Sequence, residues 1–401
     1  MIRPVKIVAL AVIGVGWLLS MSVVVSPAQE NVFKFASIVP LSGPAAGWGI
    51  PANRAYQYVF DDFMKKGGLL VGGKHYKFEM LAYDNKYQTS ETTTLLNKAI
   101  FGDKVKFLSV MGQHNCVVAA PICETNKVFQ LASASGGEEL TNPKFSLTFR
   151  LMNSNSIGPI LYYPEVMKQF GVKTIALVNP DDEGGYTTAK VDKRVAEMLD
   201  PSPKIVADEY YVRGTQDFTP VILRVMAKKP DLIDMGISSP GDTGLFLKQL
   251  GEAGYSGLTM NSASIVTTDV VWKAAGKYAK GHFIIGAFAE PPTAEYEEFT
   301  KRYLKEFGGT AVPTLSYESY ECLKAMVLAI EKANSLDPTV VADTLGNLTW
   351  KGLFGPARWM GKEKILGYGI NRSICHPFPM SRIGEGGKVE KWMLKDLPLQ
   401  K

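Results

Sequence analysis

From Phe33 to Val39 the chain is almost continuously apolar, whereas over Pro51–Lys66 the residues Ala52, Ala55, Tyr56, Val59, Phe60 and Phe63 recur three and four positions apart. The first pattern predicts a buried strand and the second an amphipathic helix, closed by Lys66-Gly67-Gly68. The alternation continues with a strand at Tyr76–Tyr83, a helix at Thr89–Phe101, a strand at Val105–Met111, a helix at Val117–Asn126 and a strand at Val128–Ala132. After Arg150 the rhythm restarts. Helices are predicted at Ile157–Phe170, Tyr186–Leu199 and Thr243–Ala253, with a helical stripe at Phe218, Val221, Ile222, Val225 and Met226. Strands are predicted at Thr174–Asn179, Lys204–Val212, Asp231–Gly236 and Gly257–Asn261. Strands alternating with helices imply parallel sheets covered by helices on both faces, and two runs of equal rhythm imply two similar lobes. The remainder is helix-rich (Tyr296–Phe307, Tyr317–Ala333), with short strands near Ala357–Met360, Gly369–Ile374 and Lys388–Trp392.

The first thirty residues stand outside this pattern. Arg3 and Lys6 precede the uncharged run Ile7–Val25, and Ser26-Pro27-Ala28 follows it. A basic start, an apolar middle and small residues two apart are the parts of a secretory signal, with cleavage expected after Ala28; an uncleaved anchor is the other reading of the same run. The remaining composition is globular: 46% hydrophobic, 21% charged and a net charge of +5 over 401 residues. No basic tract suggests a nucleic-acid partner. The four cysteines, Cys116, Cys123, Cys322 and Cys375, form no CxxC pair, and with only four histidines neither a metal site nor another cofactor is expected. Cys116 and Cys123 on one helix would lie about 10 Å apart along its axis, too far to bridge, whereas Cys322 with Cys375 stays open, as do free thiols.

Several motifs, taken in order, carry a family likeness: L-S-G-P-A-A-G-W-G (Leu41–Gly49), K-K-G-G-L-L-V-G-G-K, F-E-M-L-A-Y-D-N, S-A-S-G-G-E-E-L-T (Ser133–Thr141), D-F-T-P-V-I-L-R (Asp217–Arg224) and G-L-F-L-K-Q-L-G-E-A-G (Gly244–Gly254). In this order the chain resembles the periplasmic solute-binding proteins of the branched-chain amino acid ABC transporter type. The resemblance implies an α/β fold of two Rossmann-like lobes with parallel sheets, joined by a three-segment hinge (the type I periplasmic binding fold). It places lobe one at residues 30–151 plus 287–371 and lobe two at 152–286 plus 374–401, with crossings near 151–155, 285–288 and 373–377. It also implies a periplasmic monomer that takes a small-molecule ligand and delivers it to a membrane permease.

In open parallel sheets, ligands bind beyond the C-terminal strand ends, where helix N-termini favour anions. The small residues Ser42, Gly43 and Ala45–Gly47 would let backbone approach a ligand there, with Trp48 either stacking in the cleft or packing the loop onto its own helix. The resemblance assigns a carboxylate-bonding side chain to the loop after the third strand, where Gln113 and Asn115 stand. It assigns backbone and hydroxyl donors to Ala134, Ser135 and Gly136. In lobe two it points to Tyr186, Ser238 and Ala263. His114 is open to a pH-sensitive contact or to simple hydrogen bonding.

Amino-acid-binding members of this family place an acid where Ala263 stands, to pair with the ligand ammonium. A buried ammonium without an anionic partner is costly. The expected ligand is therefore a small organic acid, aromatic ones included, or an amide-like solute, its carboxylate held by lobe-one amides. Asp182, Glu183 and Asp242 are expected on solvated faces, the alternative being that one of them reaches the cleft and takes the place of the missing acid. A branched-chain amino acid receptor and a ligand sensor of the same fold are the alternatives. No catalytic spacing is present, since Gly236–Gly241 lacks the GxSxG pattern.

Overall fold

The computed structural model describes residues 31–397 except 136–137, 152–156, 265, 286, 310, 366–367, 370–371 and 376–377. The expected leader, Gly136 and parts of all three expected crossings therefore lie outside the described residues.

The first run of the chain builds a six-stranded sheet from β1 (Val32–Val39), β2 (Leu69–Val71), β3 (Lys74–Asp84), β4 (Phe107–Met111), β5 (Phe129–Ser133) and β6 (Thr148–Arg150), in the order β2-β3-β1-β4-β5-β6. Strands β3, β1, β4, β5 and β6 run parallel, and only β2 is antiparallel. The β2–β3 hairpin follows from Gly72-Gly73, whose φ values of 59° and 72° suit a tight two-residue turn. One face of this sheet carries an aromatic ladder: Phe33, Phe107, Phe129, Phe149 and Trp359 follow one another with ring centroids 5.0–5.9 Å apart. Helices α1 (Ala46–Met64), α2 (Thr89–Asn97) and α3 (Gln113–Thr125) connect these strands.

The second run builds a seven-stranded sheet from β7 (Thr174–Pro180), β8 (Lys204–Tyr211), β9 (Leu232–Asp234), β10 (Leu258–Met260) and β11 (Phe283–Ile285), with helices α4 (Ile157–Phe170), α5 (Glu183–Met198), α6 (Thr219–Met226), α7 (Pro240–Glu252) and α8 (Thr268–Ala275). The chain then returns to the first lobe. Helices α9 (Ala294–Phe307), α10 (Thr314–Ala333) and α11 (Pro338–Gly346) are followed by β12 (Thr349–Gly352), β13 (Gly355–Trp359), β14 (Lys364–Ile365), β15 (Tyr368–Gly369) and β16 (Ile374–Cys375). Its last strands, β17 (Phe378–Ile383) and β18 (Val389–Lys395), complete the second sheet in the order β18-β17-β11-β10-β9-β7-β8. Both are antiparallel to their neighbours. The sheets are thus mixed, where alternation predicted them parallel. The added antiparallel strands extend one end of each sheet, β2 singly and β17–β18 as a pair with β18 outermost, where a short hairpin needs no crossover helix.

Four helices begin three to five residues before their apolar periodicity does. Helix α1 starts at Ala46 instead of Pro51, α3 at Gln113 instead of Val117, α5 at Glu183 instead of Tyr186, and α7 at Pro240 instead of Thr243. Apart from Trp48 in α1, their first turns hold small and polar residues on the side of the opposite lobe and so carry no apolar stripe. All four cysteines are free thiols. Among the described residues no helix is long and apolar enough to cross a membrane.

Candidate ligand-binding cleft

The C-terminal strand ends of the two sheets face each other, and the lobes touch there. Thr267 donates its hydroxyl to the carbonyl of Gly47 at 2.9 Å. A Cβ on Gly47 would sit 3.5 Å from Pro240, and Gly214 faces Pro44 at 3.4 Å. The small-residue loop after β1 therefore lets the second lobe come close. That loop is itself tied down, because Asp84 accepts from the Leu41 N–H at 2.9 Å and from the Ser42 hydroxyl at 2.6 Å.

Trp48 lies in the first turn of α1, 3% exposed, with its ring 5.5 Å from that of Tyr87. Tyr87 in turn meets His114 edge-on at 4.8 Å. Gln113 is fully buried; its amide donates to Glu139 at 2.8 Å and its carbonyl accepts from Ser135 at 2.9 Å. Ala134 takes a left-handed φ of 44° at the end of β5, which turns the chain so that the Ser135 hydroxyl reaches Gln113. Asn115 does not join this group: it donates to the Met111 carbonyl at 2.9 Å and stays behind the helix start. Burial lowers the pKa of the His114 ring against the opposing pull of the Tyr87 carbonyl and Asp182, and its Nε2 lies 3.2 Å from that carbonyl.

In the second lobe, Gly184 fills the place facing Gln113, 3.6 Å from that side chain by its virtual Cβ. Two residues on, a helix has turned roughly 200°. Tyr186 is accordingly 50% exposed, packed on Tyr210 and hydrogen-bonded to Asp181, pointing away from the first lobe. Ser238 and Ala263 are both buried at strand ends, Ser238 beside the Tyr211 phenol and Ala263 with its N–H on the Gly236 carbonyl at 3.3 Å.

Of the three acids expected on solvated faces, only Glu183 is exposed. Asp182 caps α5 through the Gly185 N–H at 3.0 Å and pairs with Arg213 at 2.6 Å; burial would raise its pKa, but the Arg213 cation holds it below the usual value. Asp242 is 3% exposed and accepts from Ser239 at 2.8 Å and from the Gly214 N–H at 3.0 Å. Both corrections have one cause: each carboxylate braces a loop of its own lobe.

Beyond β10 the surroundings are neutral or already engaged. Asn261 accepts from His282 at 2.7 Å, and burial holds that imidazole near a pKa of about 3, hence neutral. Two acids lie near Ser262: Asp234 accepts from Tyr163 at 2.7 Å, Gly236 at 2.8 Å and Ser262 at 3.0 Å, and burial raises its pKa, whereas Asp192 is fully buried and its pKa is pushed up by burial first and Asp234 second.

Sequence reasoning missed Tyr87 and Arg213. Both stand one to three residues past a strand end, which is the available signal in a parallel sheet.

A family profile described as periplasmic binding protein matches residues 32–366. The Leu/Ile/Val-binding protein BraC3 of Rhizobium johnstonii is 24% identical over 330 residues, covering 81% of this chain and 86% of that protein. A leucine binding protein LivK from Thermotoga maritima superposes with a TM-score of 0.78 at 17% identity, over 91% of this chain and 99% of the other. A solute binding protein of an ABC transporter from R. palustris, in complex with benzoate, superposes with a TM-score of 0.77 at 16% identity, over 92% and 97%.

Proposed function

Since the chain belongs to the periplasmic binding protein family, the solute-binding component of ABC transporters, we propose that its ligand is a small organic acid, aromatic acids included, or an amide-like solute. The observation that carries this reading is the end of β10, where Ala263 stands among buried neutral groups and Asp234 is saturated by three donors. An ammonium brought there would find Asp234 already engaged, while Asp192, the other acid beside Ser262, is fully buried with its pKa pushed up by burial and by Asp234; burying an ammonium unpaired costs several kcal/mol. Trp48 and Tyr87 offer aromatic surface to a flat or apolar body, and Gln113 with Ser135 offers polar contacts to its carboxylate. Ala134 and Ser238 border this proposed site, whereas Asn115 and Tyr186 contribute to it from behind or not at all.

Export with cleavage after Ala28, action as a monomer and delivery to a membrane permease complete the proposal. A second reading, branched-chain amino acid binding, is favoured by the relative named for leucine, isoleucine and valine. A thermal-shift screen of the protein from Gln29 onward separates the two, because a tight ligand raises the melting point by mass action. Benzoate and aliphatic acids are expected to give larger shifts than leucine or valine; a dominant leucine shift would overturn the organic-acid reading.

A further inference from the structure

We propose that Arg213 reads the ligand's carboxylate from the second lobe and couples its capture to closure of the cleft. This rests on the organic-acid reading above and names the side chain that enforces it.

Arg213 lies in the loop that leaves the edge strand β8, and that loop is held at several points. Gly214, at φ 80°, donates its N–H to Asp242 at 3.0 Å, Thr215 donates to the Val212 carbonyl at 2.6 Å, and the Gln216 carbonyl accepts from Gln249 at 2.9 Å. From this fixed base the side chain crosses to the other lobe. Its guanidinium carbon lies 5.0 Å from the Tyr87 ring centroid and 5.8 Å from that of Trp48. Nε donates to Asp182 at 2.6 Å and Nη1 to the Ile237 carbonyl at 3.3 Å. Nη2 is buried and has no hydrogen-bond partner among the described residues.

A buried guanidinium N–H left unsatisfied is expensive, and the groups that match the planar fork best are carboxylates. Asp182 occupies one edge only. It also stands 3.3 Å from the virtual Cβ of Gly184, which faces Gln113, so the cation and the lobe-one amide converge on the same corner. Trp48 and Tyr87 belong to the first lobe, whereas Arg213 and Asp182 belong to the second. The guanidinium therefore has its aromatic faces only when the lobes are together. A carboxylate bound there engages both lobes, which is the differential contact that shifts an open–closed equilibrium.

The test compares acid with amide. Affinities of wild type, Arg213→Gln and Arg213→Lys are measured by calorimetry for benzoate against benzamide and for leucine against leucinamide. Small-angle scattering reports closure. Wild type should prefer benzoate over benzamide by about tenfold or more. Arg213→Gln should lose about that factor for benzoate, leave benzamide within about twofold and show no acid-induced contraction. Arg213→Lys should retain part of the preference, because a point charge cannot serve Asp182 and the ligand together; it also keeps the test decisive if the Gln variant does not fold. An unchanged acid-to-amide ratio in both variants overturns the proposal and leaves the organic-acid reading standing. Wild type that binds leucine but not benzoate overturns that reading, and the leucine-to-leucinamide ratio in the variants then decides the role of Arg213. Wild type that binds neither acid, or that binds amides equally well, overturns the role of Arg213.

Discussion

Each lobe opens the helix that follows its first strand in the same way, and the difference lies in one neighbouring side chain. In lobe one, β1 runs into Pro40, and a Cβ on Gly49 of α1 would lie 1.9 Å from the Pro40 carbonyl oxygen. In lobe two, β7 ends at Pro180, and a Cβ on Gly185 of α5 would lie 1.9 Å from the Pro180 carbonyl oxygen. Beside the first glycine stands Trp48; beside the second stands Gly184. The strand–turn–helix unit is thus held constant by one close backbone approach while the adjoining position is free to specialise. Lobe one presents aromatic surface and neutral hydrogen-bonding groups, and lobe two presents an ion pair and leaves room for them.

The largest effect should come from breaking the shared device. Gly49→Ala and Gly185→Ala each force a methyl into a carbonyl oxygen, and overpacking of this kind typically costs about 1–3 kcal/mol, occasionally more. Urea denaturation of both variants should show comparable losses. A harmful Gly49→Ala beside a neutral Gly185→Ala would mean that the two helix starts are not equivalent.

The next effect concerns what differs between the lobes. Trp48→Ala removes the aromatic wall and should weaken benzoate binding about tenfold, in line with the worth of an aromatic contact beyond its area. Because Trp48 is also nearly buried, part of the loss will appear as a lower melting point. Gly184→Leu tests the opposite side. Its side chain must enter the gap to Gln113, 3.6 Å away, and Asp182, 3.3 Å away. It should hold the cleft open, lowering affinity with little change in melting point. Scattering curves with saturating ligand that match wild type would show that closure does not use this gap.

The two-lobed rhythm was readable because core-facing residues obey a period. Ile157–Phe170 is bounded in the structure as its pattern predicts. The residues facing the cleft obey none. Gln113, Glu183 and Pro240 open helices, yet their first turns mix polar and small residues, so they read as loops. Tyr186 was misplaced for the same reason, since moving the start of α5 back to Glu183 rotates Tyr186 outward. The hairpin β17–β18 was only half visible: Lys388–Trp392 alternates, whereas Phe378-Pro379-Met380 is an internal strand with a proline. Asp182 and Arg213, 31 positions apart, make their ion pair only after β7 and β8 align. No local pattern announces such a pair.

The smallest effect compares the acids buried within each lobe. In lobe two, Asp192 is fully buried with Asp234 as a neighbour, and burial first and Asp234 second push its pKa up. In lobe one, Glu318 on α10 is 3% exposed, and burial alone raises its pKa well above the usual 4.5. A carboxyl whose pKa is raised by folding must take up a proton whenever the unfolded chain has lost it. Stability is therefore greatest below about 4.5, falls as pH climbs toward the folded pKa, and is flat beyond it. Glu318→Gln mimics the protonated acid, so it should match wild type in acid and exceed it modestly at about pH 7, flattening the profile between. Asp192→Asn should act with the same sign, but its neighbour Asp234 still titrates, so a residual slope should persist. Melting curves across pH decide the matter. A Glu318→Gln variant less stable than wild type at neutral pH would mean that this carboxylate is ionised and paired, and would give lobe one a buried charge to set against the Asp182–Arg213 pair of lobe two.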